Sequence, residues 1–207
     1  MKKLGLIAIS SVLALVSYSQ SSNYIQFKLY KNVEFQLGQT QGTRTIELGT
    51  FSPAIAWGKN ENFHEVQLLS VNFFSRSRAK NYSAGAEYSY NYSFSDDKTS
   101  KVQVYLGGGV GGSFASNYSE VFRGSTAVTS KGKYLRAHVI ALPRITYKLR
   151  SNILLDISLP YKLMMYENSQ LVEEDPTIPE NQQTTTFNET AFFPRAFSLK
   201  VGATVRF

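Results

Sequence analysis

The stretch Asn81-Tyr82-Ser83-Ala84-Gly85-Ala86-Glu87-Tyr88-Ser89-Tyr90-Asn91-Tyr92-Ser93-Phe94 sorts its side chains by parity. Even positions are Tyr82, Ala84, Ala86, Tyr88, Tyr90, Tyr92 and Phe94. Odd positions are Ser83, Gly85, Glu87, Ser89, Asn91 and Ser93. Successive side chains of a β-strand point to opposite faces, so this segment is a strand with one apolar, aromatic face and one small, polar face.

The same alternation recurs on both sides. One apolar row reads Val102, Val104, Leu106, Val110, Phe114, opposite Lys101, Gln103, Tyr105 and three glycines. A second runs on odd numbers from Leu135 to Leu149, opposite Arg136, His138, Arg144, Thr146 and Lys148. A third runs from Ile153 to Met165, opposite Asp156, Ser158 and Lys162, and a last from Phe197 to Phe207, opposite Ser198, Lys200, Gly202, Thr204 and Arg206. Three weaker strands come first. Ile25–Leu37 alternates except for Lys31 on its apolar row. Thr45–Trp57 changes parity around 50–53, and Phe63–Phe74 near Leu68 and Leu69, as β-bulges would make them. The expectation is eight strands.

The connections run Gln39–Arg44, Gly58–Asn62, Ser75–Lys80, Ser95–Ser100, Ala115–Gly132, Arg150–Asn152 and Glu167–Glu189. The even-numbered ones are short turns, and the long ones, Ala115–Gly132 and Glu167–Glu189, are odd-numbered. Short turns at one end and long loops at the other are the asymmetry of an up-and-down transmembrane barrel.

Composition narrows the class further. Aromatic residues make 14% of the 207, which no disordered chain carries, and the absence of Cys excludes a disulfide scaffold and a thiolate metal site. Lys2 and Lys3 precede the apolar run Leu4–Val16 and the small residues Ser17 and Ser19, the layout of a secretory leader over residues 1–19. That run is too short to span a bilayer as a helix, which needs about 20 residues. Residues 20–207 are then the barrel domain.

Polarity separates a membrane barrel from a soluble one. The polar rows are rich in Gly, Ser and Ala, which fit the narrow interior of eight strands. The apolar rows end in aromatics suited to interfacial girdles: Tyr24, Trp57, Phe63, Tyr82, Phe94, Phe114, Tyr134, Tyr147, Tyr166 and Phe193. The arrangement favours lipid outside. Lys31 fits if the membrane part of the first strand starts after it, so that its ammonium snorkels to the interface.

Leader, eight alternating strands, odd-numbered long loops and a terminal Val205-Arg206-Phe207 together resemble the small outer-membrane β-barrel family of Gram-negative bacteria, the outer-membrane protein A and protein X type. The resemblance implies an all-β, eight-stranded antiparallel barrel in the outer membrane. It also implies that Val205 and Phe207 form the C-terminal signal read by the barrel-assembly machinery. No peptidoglycan-binding domain follows, which places the chain nearer the X type.

Chemistry must then come from the lumen or the loops. By parity Glu34, Glu47, Glu65, Glu87 and Asp156 point inward, as do Lys101, Arg136, Arg144, Lys148, Lys162, Lys200 and Arg206. Buried charges must pair, so these predict a lumenal salt-bridge network that plugs the barrel; a narrow ion pathway is the rival. Gly107, Gly109 and Gly112 match a dinucleotide fingerprint but open no helix, so no cofactor is expected. His64 and His138 lack both the His-x-Ser pattern of outer-membrane deacylases and the clustered carboxylates of a metal site. No catalytic residue is assigned, and the expectation is a non-enzyme. A lipid A-modifying enzyme and a soluble, secreted ligand-binding barrel are the alternatives. The basic stretch Ser75–Lys80 suits lipopolysaccharide phosphates better than nucleic acid, which an exported chain does not meet. The sequons at Asn81, Asn91 and Asn117 carry no weight in a bacterial compartment. An extracellular ligand would meet the loops at 115–132 and 167–189.

Overall fold

The structure, a computed structural model, describes residues 24–37, 44–59, 61–76, 78–95, 100–123, 126–175, 179–194 and 196–207. The expected leader at 1–19 and the loop at 39–43 lie outside these residues, and so do the side chains of 34–37 and 44–50. Of Glu34 and Glu47, both expected in the lumen, only the backbones are described.

Ten strand segments build one sheet: β1 (Tyr24–Leu37), β2 (Arg44–Lys59), β3 (Asn62–Arg76), β4 (Ala79–Ser93), β5 (Val102–Arg123), β6 (Thr126–Lys148), β7 (Ile153–Ser158), β8 (Tyr161–Glu174), β9 (Thr184–Phe192) and β10 (Ala196–Arg206). All pairings are antiparallel, and β1 pairs with both β2 and β10, so the sheet closes on itself. Segments β7 and β8 are two halves of one barrel strand. Both lie against β6, and the chain interrupts between them at Leu159-Pro160, because proline has no N–H to give the ladder. Segments β9 and β10 are likewise two halves, broken at Phe193 (φ 50°) and Pro194. The closed barrel has eight strands, as the alternation predicts.

Its polarity is inverted relative to a soluble barrel. Phe27, Leu106, Val110, Ile145 and Ile157 are each about half exposed, while Lys28, Glu65, Arg144, Asp156 and Lys200 are buried. A soluble monomer rarely exposes more than a few hundred Å² of contiguous apolar surface. An apolar belt around a charged interior is what a bilayer accepts.

Four expectations need correction. Most of both long connections is strand rather than loop. β5 runs on to Arg123 and β6 begins at Thr126, while β8 extends to Glu174 and β9 starts at Thr184. Thr129↔Glu174 and Val172↔Thr184 are paired, so these segments form a four-stranded sheet rising from one end of the barrel. Second, Tyr24, Phe63 and Tyr134 are not girdle residues. Phe63 is buried against Tyr105, Tyr24 lies under Arg206, and Tyr134 sits on the inward parity of β6. Third, a bulge at Leu163 shifts the register between Val139↔Met164 and Ile140↔Lys162. This turns Met165 onto the face of His138 and sets Tyr166 outward beside Ala137.

The fourth concerns Lys31. The membrane part of β1 does not start after it: Lys31 pairs with Val201 and Phe51, with Phe27 and Leu29 below it and Val33 and Leu199 above. It is a lipid-facing cation near mid-belt, with its Nζ 4.9 Å from the centre of the Phe51 ring. A lysine at the bilayer midplane costs about 2–4 kcal/mol, and a cation–π contact returns about 0.5–1. Lys31→Leu should accordingly stabilise the barrel in vesicles by about 1–3 kcal/mol; an unchanged urea midpoint would show that the ammonium escapes to water.

The bulges read from sequence are present. Register shifts occur between Leu68 and Ser70 on β3, and between Lys31 and Val33 where β1 faces the parity change of β2.

Candidate functional site: the charged lumen and the sheet above it

Parity alone brings Gln26, Lys28 and Tyr30 of β1, Glu65 and Gln67 of β3, Glu87 of β4, Arg144 of β6, Asp156 of β7 and Lys200 of β10 to the axis, and all are buried. At the centre the Arg144 guanidinium donates Nη1–H to Glu65 Oε2 (2.7 Å) and Nη2–H to Glu65 Oε1 (2.9 Å), a two-pronged pair across the barrel. Its Nε lies 3.5 Å from Asp156 Oδ1. Lys28 Nζ bridges the same two acids, at 2.9 Å from Glu65 and 3.2 Å from Asp156. Tyr30 Oη reaches both, 2.9 Å from Glu65 and 3.2 Å from Asp156. Phe63 closes the cluster, with Lys28 Nζ 4.0 Å and the Arg144 guanidinium carbon 5.1 Å from its ring centre. Gly202 on β10 is required here, because a Cβ would lie 2.5 Å from Tyr30 Cδ1.

A second cluster lies toward the long-hairpin end. Lys200 Nζ donates to Glu87 Oε1 (2.6 Å) and Gln67 Oε1 (2.7 Å), and His138 Nε2 is 3.0 Å from Glu87 Oε2. A third lies at the short-turn end, where Arg206 Nη2 is 3.4 Å from Glu61 Oε2 and its guanidinium carbon 4.2 Å from the centre of the Tyr24 ring. At the opposite mouth Arg136 grips Glu167 with Nε (2.9 Å) and Nη2 (3.2 Å), but this pair is exposed.

Of the twelve predicted lumenal charges, the structure therefore buries Glu65, Glu87, Arg144, Asp156 and Lys200, and sets Arg206 at the lower rim. Arg136 belongs to the mouth, and Lys101 is exposed just before β5 begins. Lys148 and Lys162 are half-buried and make contacts of their own. Sequence reasoning missed Lys28, Tyr30, Glu61 and the aromatic lid Phe63. Lys28 and Tyr30 shared the inward row of β1 and were legible there; Glu61 sits in a turn at φ 67°, where parity says nothing.

Among the described residues the three inner clusters hold four cations (Lys28, Arg144, Lys200, Arg206) and four carboxylates (Glu61, Glu65, Glu87, Asp156). Within these three clusters the four cations match the four carboxylates. A carboxylate-oriented imidazole has the geometry of a general base, but no hydroxyl among the described residues hydrogen-bonds His138. His64 lies on the exterior, its Nδ1 2.7 Å from Tyr88 Oη. No group of three metal-ligating side chains occurs among the described residues.

No protein-family model matches the chain, and no curated protein matches it. Among solved structures it is similar to the outer membrane protease OmpT from Escherichia coli, at 9% identity over 90% of this chain and 98% of that one, with a TM-score of 0.50. A major outer membrane protein from Thermus thermophilus aligns at 14% identity over 88% and 99%, with a TM-score of 0.46. Ail, the attachment invasion locus protein of Yersinia pestis, aligns at 11% identity over 89% and 97%, with a TM-score of 0.42. At such identities the likeness is one of fold, and carries nothing of the protease's chemistry. The chain has the eight-stranded antiparallel architecture of outer-membrane β-barrels.

Proposed function

We propose that this chain is an integral protein of a Gram-negative outer membrane with a plugged lumen, non-enzymatic, that works through the surface its long hairpins present outside the cell. The mutually paired charges of the described lumen carry this reading. An eight-stranded interior is just wide enough for side chains to fill, and here it is filled by ion pairs that would have to part before an ion could pass. The short turns face the periplasm, and the hairpin sheet of β5, β6, β8 and β9 faces outward. Val205 and the exposed Phe207, which packs edge-on against Phe27 at 5.7 Å, are the residues offered to the barrel-assembly machinery. Lipopolysaccharide is the expected neighbour of the outer rim.

Planar-bilayer recording of the purified protein tests the plug, and no unitary conductance steps are expected. Glu87→Ala strands the buried Lys200 with only Gln67, so its unfolding free energy should fall by about 1–3 kcal/mol. Steps in the wild type, or a Glu87→Ala variant that conducts at undiminished stability, would make the lumen a pathway instead. Gel mobility of the detergent-extracted membrane fraction, unboiled against boiled, tests the location: a heat-dependent shift in that fraction is expected, and an unshifted soluble band would reject it.

A further inference from the structure

The outward row changes character abruptly where β4, β5 and β6 leave the apolar belt. The register places Ala84, Phe114 and Leu135 side by side as the last apolar row. One step up, about 6.6 Å along the strands, come Tyr82, Ser116 and Lys133. The next row is Lys80, Tyr118 and Lys131, with Lys80 Nζ 5.9 Å from the Tyr118 ring centre. Acids are displaced one row further: Glu120 and Glu174 both flank Thr129, and Glu174 pairs with Lys131. Lys80 and Lys133 are exposed, and no carboxylate among the described residues pairs with either. Two cation rows thus sit directly on the apolar belt, with the acids outside them.

Below the same strands the exterior is notched. Val66, Ala86, Tyr88, Val110 and Gly112, with Glu87 and Gly111 between them in sequence, line an open depression of about 310 Å³. It forms because Ala86 and Gly112 are paired small residues between the larger rows of Phe114 above and Val110 below. From Ala86 to Lys80 is six residues of one strand, or about 20 Å, the length of a fatty acyl chain. The notch is mainly apolar and faces lipid; the cations stand where a lipid's headgroup begins.

We infer that this face of the barrel binds one phosphorylated, acylated glycolipid of the outer leaflet, with a phosphate between Lys80 and Lys133 and one acyl chain in the Ala86–Gly112 notch. The inference rests on the outer-membrane location proposed above. An anion held only by the lysines would come from solution; the apolar notch on the same face selects a molecule that is already in the membrane.

Native mass spectrometry of the detergent-solubilised protein tests it with three probes: bisphosphorylated lipid A, dephosphorylated lipid A, and a phosphorylated core oligosaccharide without acyl chains. The wild type should retain one lipid A. Lys80→Gln with Lys133→Gln should weaken retention about thirtyfold, as expected for the loss of two surface cations. Ala86→Leu, which fills the notch, should weaken it without altering charge, and dephosphorylated lipid A should be retained poorly. Equal retention by all variants, or retention of the oligosaccharide as well as of lipid A, overturns the site. The heat-dependent gel shift is run on the same samples. If the shift is present and lipid A is not retained, the site fails alone; if the shift is absent, the location has failed first.

Discussion

Replacing Arg144 by Met is expected to lower the unfolding free energy by about 3–5 kcal/mol, the range for removing one partner of a buried ion pair. Arg144 is 1% exposed and, among the described residues, is the only group that touches Glu65 with two prongs while facing Asp156. Without it two carboxylates share Lys28, and one negative charge is left buried without a counter-ion. Much of the loss comes from that stranded charge rather than from the bonds themselves, so Arg144→Met combined with Glu65→Gln should recover a part of it. The comparison is Arg136→Met, which breaks an equally well-formed pair with Glu167 at the exposed mouth and should cost about 0–1 kcal/mol. Trp57 is the single tryptophan and reports unfolding in urea from lipid vesicles. A loss at Arg144 no greater than that at Arg136 would mean that the lumen is wet enough to solvate its charges, and the plug would lose its physical basis.

The difference between those two arginines also marks what the sequence could reveal. Both sit on the even row of β6, and parity sends both inward; nothing local says that one lies within the bilayer-spanning section and the other beyond it. The membrane section was legible because only there do the two faces of a strand meet different solvents, lipid and lumen. Above it both faces meet water, so Ser116–Ser119 and Gly132–Lys133 lose their alternation and read as loops although they are paired strands. The aromatics failed in a different way. Tyr24 and Phe63 stand at strand ends, where an aromatic suits a girdle or a lumenal lid equally well. Phe63 also shares the odd parity of Glu65 on the same side of the β3 bulge, so its inward aim was legible once parity was given precedence over its place at a strand end. Glu87 and His138 are 51 positions apart and meet only through the register of β4 on β5 and of β5 on β6. Such pairings are properties of the closed barrel, not of any segment, and Lys31 shows the converse. Its place on the apolar row was plain, yet its depth required counting rows on β1 and β10 together.

Ile157→Arg tests the polarity on which the barrel's every other property depends. Ile157 is 47% exposed and stands in the row of Val201, Lys31 and Phe51, near the middle of the apolar belt. If that belt faces lipid, a second midplane cation two positions around the barrel from Lys31 should cost about 2–4 kcal/mol. Repulsion from Lys31 in a medium of low dielectric would add to this, and Lys31→Leu should restore part of the loss. If the belt instead faced water, Ile157→Arg would be an exposed substitution within about 0.5 kcal/mol of neutral, and would improve solubility. At urea slopes of about 1–3 kcal/mol per molar, the lipid-facing outcome is a midpoint loss of about 0.7–4 M, and the water-facing one at most about 0.5 M. A companion substitution on the opposite face fixes the sign. Leu154 is the buried neighbour of Leu155 at the lower end of the same strand, and Leu154→Arg places a cation in a lumen whose described carboxylates already have cationic partners. Both substitutions destabilise in a lipid-facing barrel, each for its own reason; in a soluble one only Leu154→Arg does.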